Sequence, residues 1–413
     1  MKPVMTVLVA SICAAKLALT LCASRATKRQ NLFFCPPPSR LFLKILHFDE
    51  PSLSQSIVFI LSTILQAHGS KYSDGFAMEY MIRFTQVHET FRLAEIKALA
   101  VLEGIDLEVL SYSPSVSSSS LIVRIYAHKF KSPFCFVKLS SGDAAIRLVQ
   151  RSILAKAIYE VWGNGSTIED LHDNVRGISQ RLWPLYKESS FKFTVDSFQG
   201  SRSTTEQRKL IEGFRFLGFE GPIKMKGAEQ EFCISEEWQF DAAALGVHAP
   251  QSVHLGRFLG GSDRDVIGKY DLKKRKYICT TSMDAELALI TANITLAAPG
   301  KLFYDPFVGS GSFPVACAHF GALAFGSDID GRSIRGRGKT NLLANFVQYK
   351  LTDNFGDSFV ADLTNTPLRA ARIFDGIVCD PPYGVREGLK VLGSRDPTKG
   401  KEPVFRDGKA HHT

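Results

Sequence analysis

The sequence predicts an α/β chain whose last third is an open, mainly parallel sheet preceded by smaller α+β modules. Three observations carry this. From Met78 onward, strand-like and helix-like segments alternate, the pattern of a sheet built with intervening helices. The run Lys301-Leu302-Phe303-Tyr304 passes into a glycine-rich turn, Asp305-Pro306-Phe307-Val308-Gly309-Ser310-Gly311-Ser312, and then into a helical stretch. Finally, Phe374 to Cys379 is short, apolar and partly β-branched, and it ends at Asp380-Pro381-Pro382-Tyr383-Gly384. Two prolines that cannot donate to a ladder stop the strand there. Both turns fall at carboxyl ends of strands, where open α/β sheets hold ligands.

Length and composition bound the rest. With 413 residues, 45% hydrophobic and 22% charged, the chain is ordinary globular material with room for two or three domains. A net charge of +9 favours a polyanionic partner, nucleic acid first, although it also suits a plainly soluble surface. The eight cysteines include no C-x-x-C pair and no Cys/His cluster at zinc spacing, so they read as reduced thiols and no metal site is expected. Residues 1–77 stand apart. Val4 to Ala23 resembles a poor signal peptide or short anchor, Ile57 to Leu65 is too short to span a bilayer, and Cys35-Pro36-Pro37-Pro38 has no periodicity. The expectation is a poorly ordered leader or extension on a cytoplasmic protein, with a targeting segment as the alternative.

Residues 78–167 read as an N-terminal α+β module: a strand over Tyr80–Gln86, a helix over Phe91–Leu102, a strand over Leu121–Tyr126 and a long helix over Asp143–Tyr159. Residues 168–255 form a second module. Phe191 to Val195 alternates like a half-buried strand, Ser203-Thr204-Thr205-Glu206 is a capping box opening a helix to Leu217, and Glu231–Ile234 is another strand. Arg202, Arg208, Lys224 and Lys226 load this module with positive charge, and Lys273, Lys274 and Arg275 continue it into a basic linker over 256–282. A charge run is often only a solvated face; in a basic chain, phosphate contact to RNA is the functional reading.

In the final segment, 283–413, Asp284 can cap a helix that ends at Pro299-Gly300. The turn after it, through Pro306, Phe307, Gly309, Ser310 and Gly311, suits close approach of a nucleotide. It lacks the Lys of a phosphate loop, and Pro314 replaces the third glycine of a dinucleotide fingerprint. Asp305 at the strand end would repel a pyrophosphate and attract an ammonium. S-adenosylmethionine carries an ammonium and no phosphate. The next strand ends at Asp328, placed for ribose hydroxyls, and a further one leads to Asp362, placed for an adenine amine. In that frame, Asp380 and the Pro381 carbonyl, held rigid by Pro382, can accept the two hydrogens of a planar exocyclic amine and present its nitrogen to a methyl sulfonium. Tyr383 supplies a stacking face for the base.

These residues carry a resemblance. The start Tyr80-Met81-Ile82-Arg83-Phe84-Thr85-Gln86-Val87-His88-Glu89 and the motifs Thr280-Thr281-Ser282-Met283-Asp284, Asp305 to Gly311, Gly326-Ser327-Asp328-Ile329-Asp330 and Asp380 to Glu387 are similar to the eukaryotic tRNA (guanosine-10 N2)-methyltransferase family, over about 330 of the 413 residues. The resemblance implies a THUMP-type RNA-binding region within 168–255, a Rossmann-like class I methyltransferase domain, methylation of guanine N2 at position 10 of tRNA, and a small zinc-containing activator protein as partner. Ser310 stands where the family more often has Thr, which keeps a hydroxyl. Only about 30 residues follow the Asp-Pro-Pro-Tyr motif, whereas such a sheet takes about three further strands. The expectation is therefore a C-terminally truncated chain with an incomplete sheet, a loop-like tail over 393–413, and instability or inactivity alone. An adenine-N6 nucleic-acid methyltransferase and a non-catalytic RNA-binding fragment are the alternative readings.

Overall fold

The structure, a computed structural model, describes residues 78–112, 132–239, 241–242, 244–382, 404–406 and 409–411. The expected leader over 1–77, the strand expected at Leu121–Tyr126, and Tyr383 lie outside them. The first half of the described chain is built on one seven-stranded sheet. Its strands are β1 (Met78–Phe84), β2 (Glu108–Ser111), β3 (Phe134–Leu139), β4 (Ala155–Gly165), β5 (Phe191–Phe198), β6 (Gln230–Glu237) and β7 (Ser252–Gly261). They lie in the order β2-β3-β1-β4-β7-β6-β5. Residues expected to form separate N-terminal and THUMP-type modules thus share this sheet, because β4 pairs along its length with β7. The boundary expected at 255/256 falls inside β7.

Four helices pack on the sheet: α1 (Arg92–Glu103), α2 (Gly142–Gln150), α3 (Ile168–Ile178) and α4 (Thr204–Glu212). Alternate β1 residues Tyr80, Ile82 and Phe84 join Leu99 of α1 and Leu148 of α2 in one core. Trp162 of β4 gathers Leu171, Val175 and Leu210 from α3 and α4 in a second. The opposite side of β1 offers Met81 to Phe134 and Phe198. Phe198 belongs to β5, at the far edge of the sheet, and Asp196 of the same strand takes two hydrogen bonds from the Arg83 guanidinium on β1. Three strands separate β1 from β5 in the sheet order, so these contacts require the sheet to curl strongly in the direction of its natural twist.

Two expected helices are corrected. The helix expected over Asp143–Tyr159 ends at Gln150, and Ala155–Gly165 is a central strand. Ile158, Tyr159, Val161 and Trp162 favour a pleated surface, and the turn before them is captured by buried Glu95, which accepts from the amides of Ile153 and Leu154 at 2.8 and 2.9 Å and from Ser152 Oγ at 2.7 Å. The capping box of α4 forms with both of its bonds, between Ser203 and Glu206, but the α-helix ends at Glu212; a 3-10 turn over Arg215–Leu217 carries the chain to Gly218, whose φ of 66° is left-handed.

The second sheet has four parallel strands: β8 (Leu302–Asp305), β9 (Leu323–Asp328), β10 (Phe355–Val360) and β11 (Gly376–Ile377), in the order β10-β9-β8-β11. Helices α5 (Val266–Tyr270), α6 (Ala285–Ile294), α7 (Ser312–His319), α8 (Gly331–Arg335) and α9 (Leu342–Tyr349) accompany it. Within the tail expected to be a loop, β12 (Val404–Arg406) pairs antiparallel with β13 (Lys409–His411).

Helix α6 joins the two sheets. Asn293 near its end donates to Glu95 Oε1 at 2.7 Å and accepts from Arg151 Nε at 2.8 Å, and Arg151 also donates to the Ala297 carbonyl and lies 3.9 Å over the Phe320 ring. At the other end of α6, Glu286 accepts from Arg264 at 3.0 Å, with His88 at 3.8 Å. A single apolar cluster continues from Leu99 and Leu148 through Ala288 and Leu289 to Phe303. Because Asn293 is fully buried, Asn293→Ala removes one of the two donors to Glu95 Oε1, the Ile153 amide remaining, and strands the Arg151 Nε donor. It is expected to lower unfolding free energy by about 2–3 kcal/mol, measured as a shift in the urea midpoint at unchanged m-value.

Candidate active site

Strand β8 has neighbours that leave in opposite directions: β9 and β10 on one side, β11 on the other. That reversal opens a crevice at the carboxyl ends of the strands. Lining it are Asp305 and the turn after β8 (Phe307 to Ser310), Asp380 after β11, and the segment Cys279 to Met283 that leads into α6. Two carboxylates and no lysine or arginine are among the lining residues.

Asp305 sits at the base, 2% exposed. One of its oxygens accepts from the Phe307 amide at 2.9 Å. Burial pushes its pKa well above the ordinary carboxylate value, and the nearby charges of Asp328 and Asp380 push it further in the same direction. This suits a cation-bearing ligand: a bound ammonium would restore the ionised form. Gly309 and Gly311 both lie in the left-handed region, at φ 49° and 85°, and a β-carbon on Gly311 would press on Leu342 at 3.2 Å. Beyond Gly311, α7 begins without a side-chain cap.

Asp328, at the end of β9, holds the turn from the other side. Its Oδ2 accepts from the Gly309 amide at 3.0 Å and its Oδ1 from Asp330 at 2.9 Å. Asp362 follows β10, where it accepts from the amide and hydroxyl of Thr364, both at 2.8 Å. Neither Asp328 nor Asp362 lines the crevice between Asp305 and Asp380; Asp328 ends β9 and Asp362 follows β10. Pro381 and Pro382 are half-buried beside Asp380. The strand before them is short, with Val378 donating to the Tyr304 carbonyl at 3.0 Å, and Tyr304 stacks on Phe374 with centroids 4.9 Å apart.

The segment Cys279–Met283, most of it within the Thr280–Asp284 motif of the resemblance, forms a wall of the crevice. Ser282 Oγ lies 2.6 Å from Ser310 Oγ and donates to the Cys279 carbonyl, while Ser312 Oγ donates to the Met283 carbonyl at 2.9 Å. Buried Asn345 of α9 bonds both the Tyr277 backbone and the Ser310 carbonyl, tying wall, turn and helix together. A run of hydroxyl residues just before the helix-capping Asp284 was the available signal.

The residues expected to meet RNA divide. Arg208, Lys224, Lys226, Lys273 and Lys274 are exposed. Arg202 turns inward to Glu236 at 2.7 Å and toward the Trp238 ring. Arg275 is a correction: only 7% exposed, it donates to Ser312 Oγ at 2.8 Å and braces the start of α7 instead of meeting solvent.

Fold and site together define a methyltransferase preceded by a THUMP-type RNA-binding region. Two family profiles match: "Tmrp11 THUMP N-terminal domain" over residues 78–125 and 118–264, and "RMKL-like, methyltransferase domain" over 273–392. The tRNA (guanine(10)-N(2))-methyltransferase of Saccharomyces cerevisiae is 41% identical over 80% of this chain and 74% of its own length. The protein of the same name from Schizosaccharomyces pombe is 37% identical over 78% and 72%, and the one from Homo sapiens 34% over 76% and 68%. The chain belongs to the tRNA (guanine(10)-N(2))-methyltransferase family.

Because the pKa of Asp305 is raised in the free protein, an ammonium-bearing ligand must displace its proton. Affinity for S-adenosylhomocysteine is therefore expected to fall as pH drops below the raised pKa, by up to about tenfold per pH unit. Calorimetric titration of wild type should show this slope, and Asp305→Asn should bind weakly with no slope.

Proposed function

We propose that this chain transfers a methyl group from S-adenosylmethionine to the N2 amine of guanine at position 10 of tRNA. The observation that carries this reading is that Asp380 lines the same crevice as Asp305 and the glycine turn, at the sheet's reversal point. The donor set supports this cofactor: a buried carboxylate for an ammonium, no cationic side chain for a phosphate, and a left-handed glycine turn for close approach. Asp305 holds the ammonium, Asp328 faces the ribose hydroxyls, and Asp362 is nearest the place of an adenine amine. When bound, the cofactor supplies a methyl group on a sulfonium, an electrophile that needs no acid catalyst.

The protein's own task is the amine. Guanine N2 is planar and a poor nucleophile because its lone pair is delocalised into the ring. Asp380 and the Pro381 carbonyl accept its two hydrogens, which favours a pyramidal nitrogen directed at the methyl carbon. Pro382 fixes the carbonyl's direction, and Tyr383 supplies the ring for stacking. Asp380 then takes the proton lost from nitrogen. Exposed Arg208, Lys224, Lys226, Lys273 and Lys274 are placed to neutralise phosphates of the tRNA.

The activator protein implied by the resemblance has a candidate seat. Among the described residues β10 is an outer strand of its sheet, and Val360 at its end is exposed, as are Leu343 and Val347 one turn apart on α9. An edge strand beside apolar side chains suits a partner that extends the sheet. Among the described residues no helix is long and apolar enough to cross a membrane.

Two measurements test the reading. A tRNA transcript with inosine at position 10, lacking the N2 amine, should accept no methyl group while the guanosine transcript does; methylation of both would overturn the assignment. Asp380→Ala should lower kcat by about 100-fold or more and leave S-adenosylhomocysteine affinity within about threefold.

A further inference from the structure

The turn after β9 carries a second feature, which the cofactor reading does not use. From Asp330 the sequence runs Gly331-Arg332-Ser333-Ile334-Arg335-Gly336-Arg337-Gly338-Lys339-Thr340-Asn341, four cations within eight residues. Arg332 is occupied: its guanidinium bonds both carboxylate oxygens of Asp330. Arg335, Arg337 and Lys339 are exposed and make no ion pair among the described residues.

The backbone beneath these three is built, not slack. Gly336 and Gly338 are both left-handed, at φ 57° and 59°. A β-carbon on Gly336 would meet the Thr340 carbonyl oxygen at 1.9 Å, so only glycine lets the two limbs of the turn close. Arg337 and Thr340 bond each other's backbones at 2.9 and 3.1 Å, and Thr340 Oγ1 donates to the Arg337 carbonyl at 2.7 Å. The turn is anchored at both ends. On one side the Ser333 carbonyl accepts at 2.6 Å from the hydroxyl of Tyr277, two residues before the crevice wall begins at Cys279; on the other, Asn341 caps α9. Three exposed cations on a braced turn present an anion with a site that the acidic crevice, lined by Asp305 and Asp380, refuses.

We infer that Arg335, Arg337 and Lys339 form a clamp for the phosphate backbone of the substrate RNA beside the target guanosine. A free nucleotide phosphate fits poorly. The turn lacks the spacing of a phosphate loop, since Ser333 stands where its first glycine would be, and Asn341 already occupies an amide at the start of α9. A flexible polyanion that runs past the crevice needs cations at intervals outside it, and alternation with glycine spaces them so. The inference rests on the proposed reaction, because it presumes an RNA substrate bound at Asp380.

The test replaces all three by glutamine in the full chain and compares it with a control of equal charge change on the N-terminal module, Lys97→Gln, Lys138→Gln and Arg147→Gln. Binding to a tRNA transcript is measured across a salt series, and S-adenosylhomocysteine binding by calorimetry. The clamp variant should weaken tRNA binding at least tenfold near physiological salt and flatten the log Kd against log salt slope by about 2, with S-adenosylhomocysteine affinity unchanged; the control should retain wild-type binding. A clamp variant that binds tRNA with wild-type affinity and slope, or a control that weakens it equally, overturns the clamp alone. A wild-type chain that binds no tRNA overturns both the clamp and the reaction beneath it.

Discussion

The parallel pairing of β8 with β9 on one side and with β11 on the other is the constraint on which the site depends. Strands that leave a common neighbour in opposite directions cannot both cover the ends of that neighbour, so a crevice opens where β8 stops. Everything that reads as chemistry is hung on this edge. Asp305 closes β8, the glycine turn follows it, Asp328 closes β9 and secures that turn through Gly309, and Asp380 follows β11. A carboxylate this buried is costly without a cation. The raised pKa of Asp305 expresses that cost, and a site that stores it selects a positively charged ligand.

The RNA-facing half is fastened to this edge through a short route. Helix α6 begins beside the crevice, where Ser312 bonds the Met283 carbonyl, and ends in the Glu95, Asn293 and Arg151 network of the first sheet. An error of about 1 Å in substrate placement can cost two orders of magnitude in rate, so a fully satisfied polar network suits this joint better than a greasy contact that could slide. The curl of the first sheet, held by Arg83 and Asp196 across its width, belongs to the same economy of fixed geometry.

Local signals were legible in the sequence, and non-local ones were not. The capping box at Ser203, the cap at Asp284, the strand over Leu323–Asp328 and the glycine turn after β8 are all specified within a few residues, and each is found where its residues imply. The pairing of β4 with β7 joins residues about 90 to 100 positions apart, and nothing local reveals it; hence one sheet where two modules were expected. Helical periodicity also misled over 143–159, since apolar residues of a buried strand can mimic one face of a helix. Arg275 belongs to a basic run, yet a serine at the start of α7 claims it. Charge alone does not say which member of a run faces inward. The wall from Cys279 to Met283 shows the converse: its hydroxyl residues were visible, but their place in the crevice depends on α9 and Asn345, far along the chain.

The central claim is that the crevice between β8 and β11 is the cofactor site, oriented by Asp305. A crystal structure of the chain with S-adenosylhomocysteine tests it most directly. The account predicts the ligand's amino group within hydrogen-bond distance of the Asp305 carboxylate, its ribose hydroxyls toward Asp328, and its sulfur facing Asp380. A ligand seated elsewhere, or one whose carboxylate faces Asp305, would contradict it.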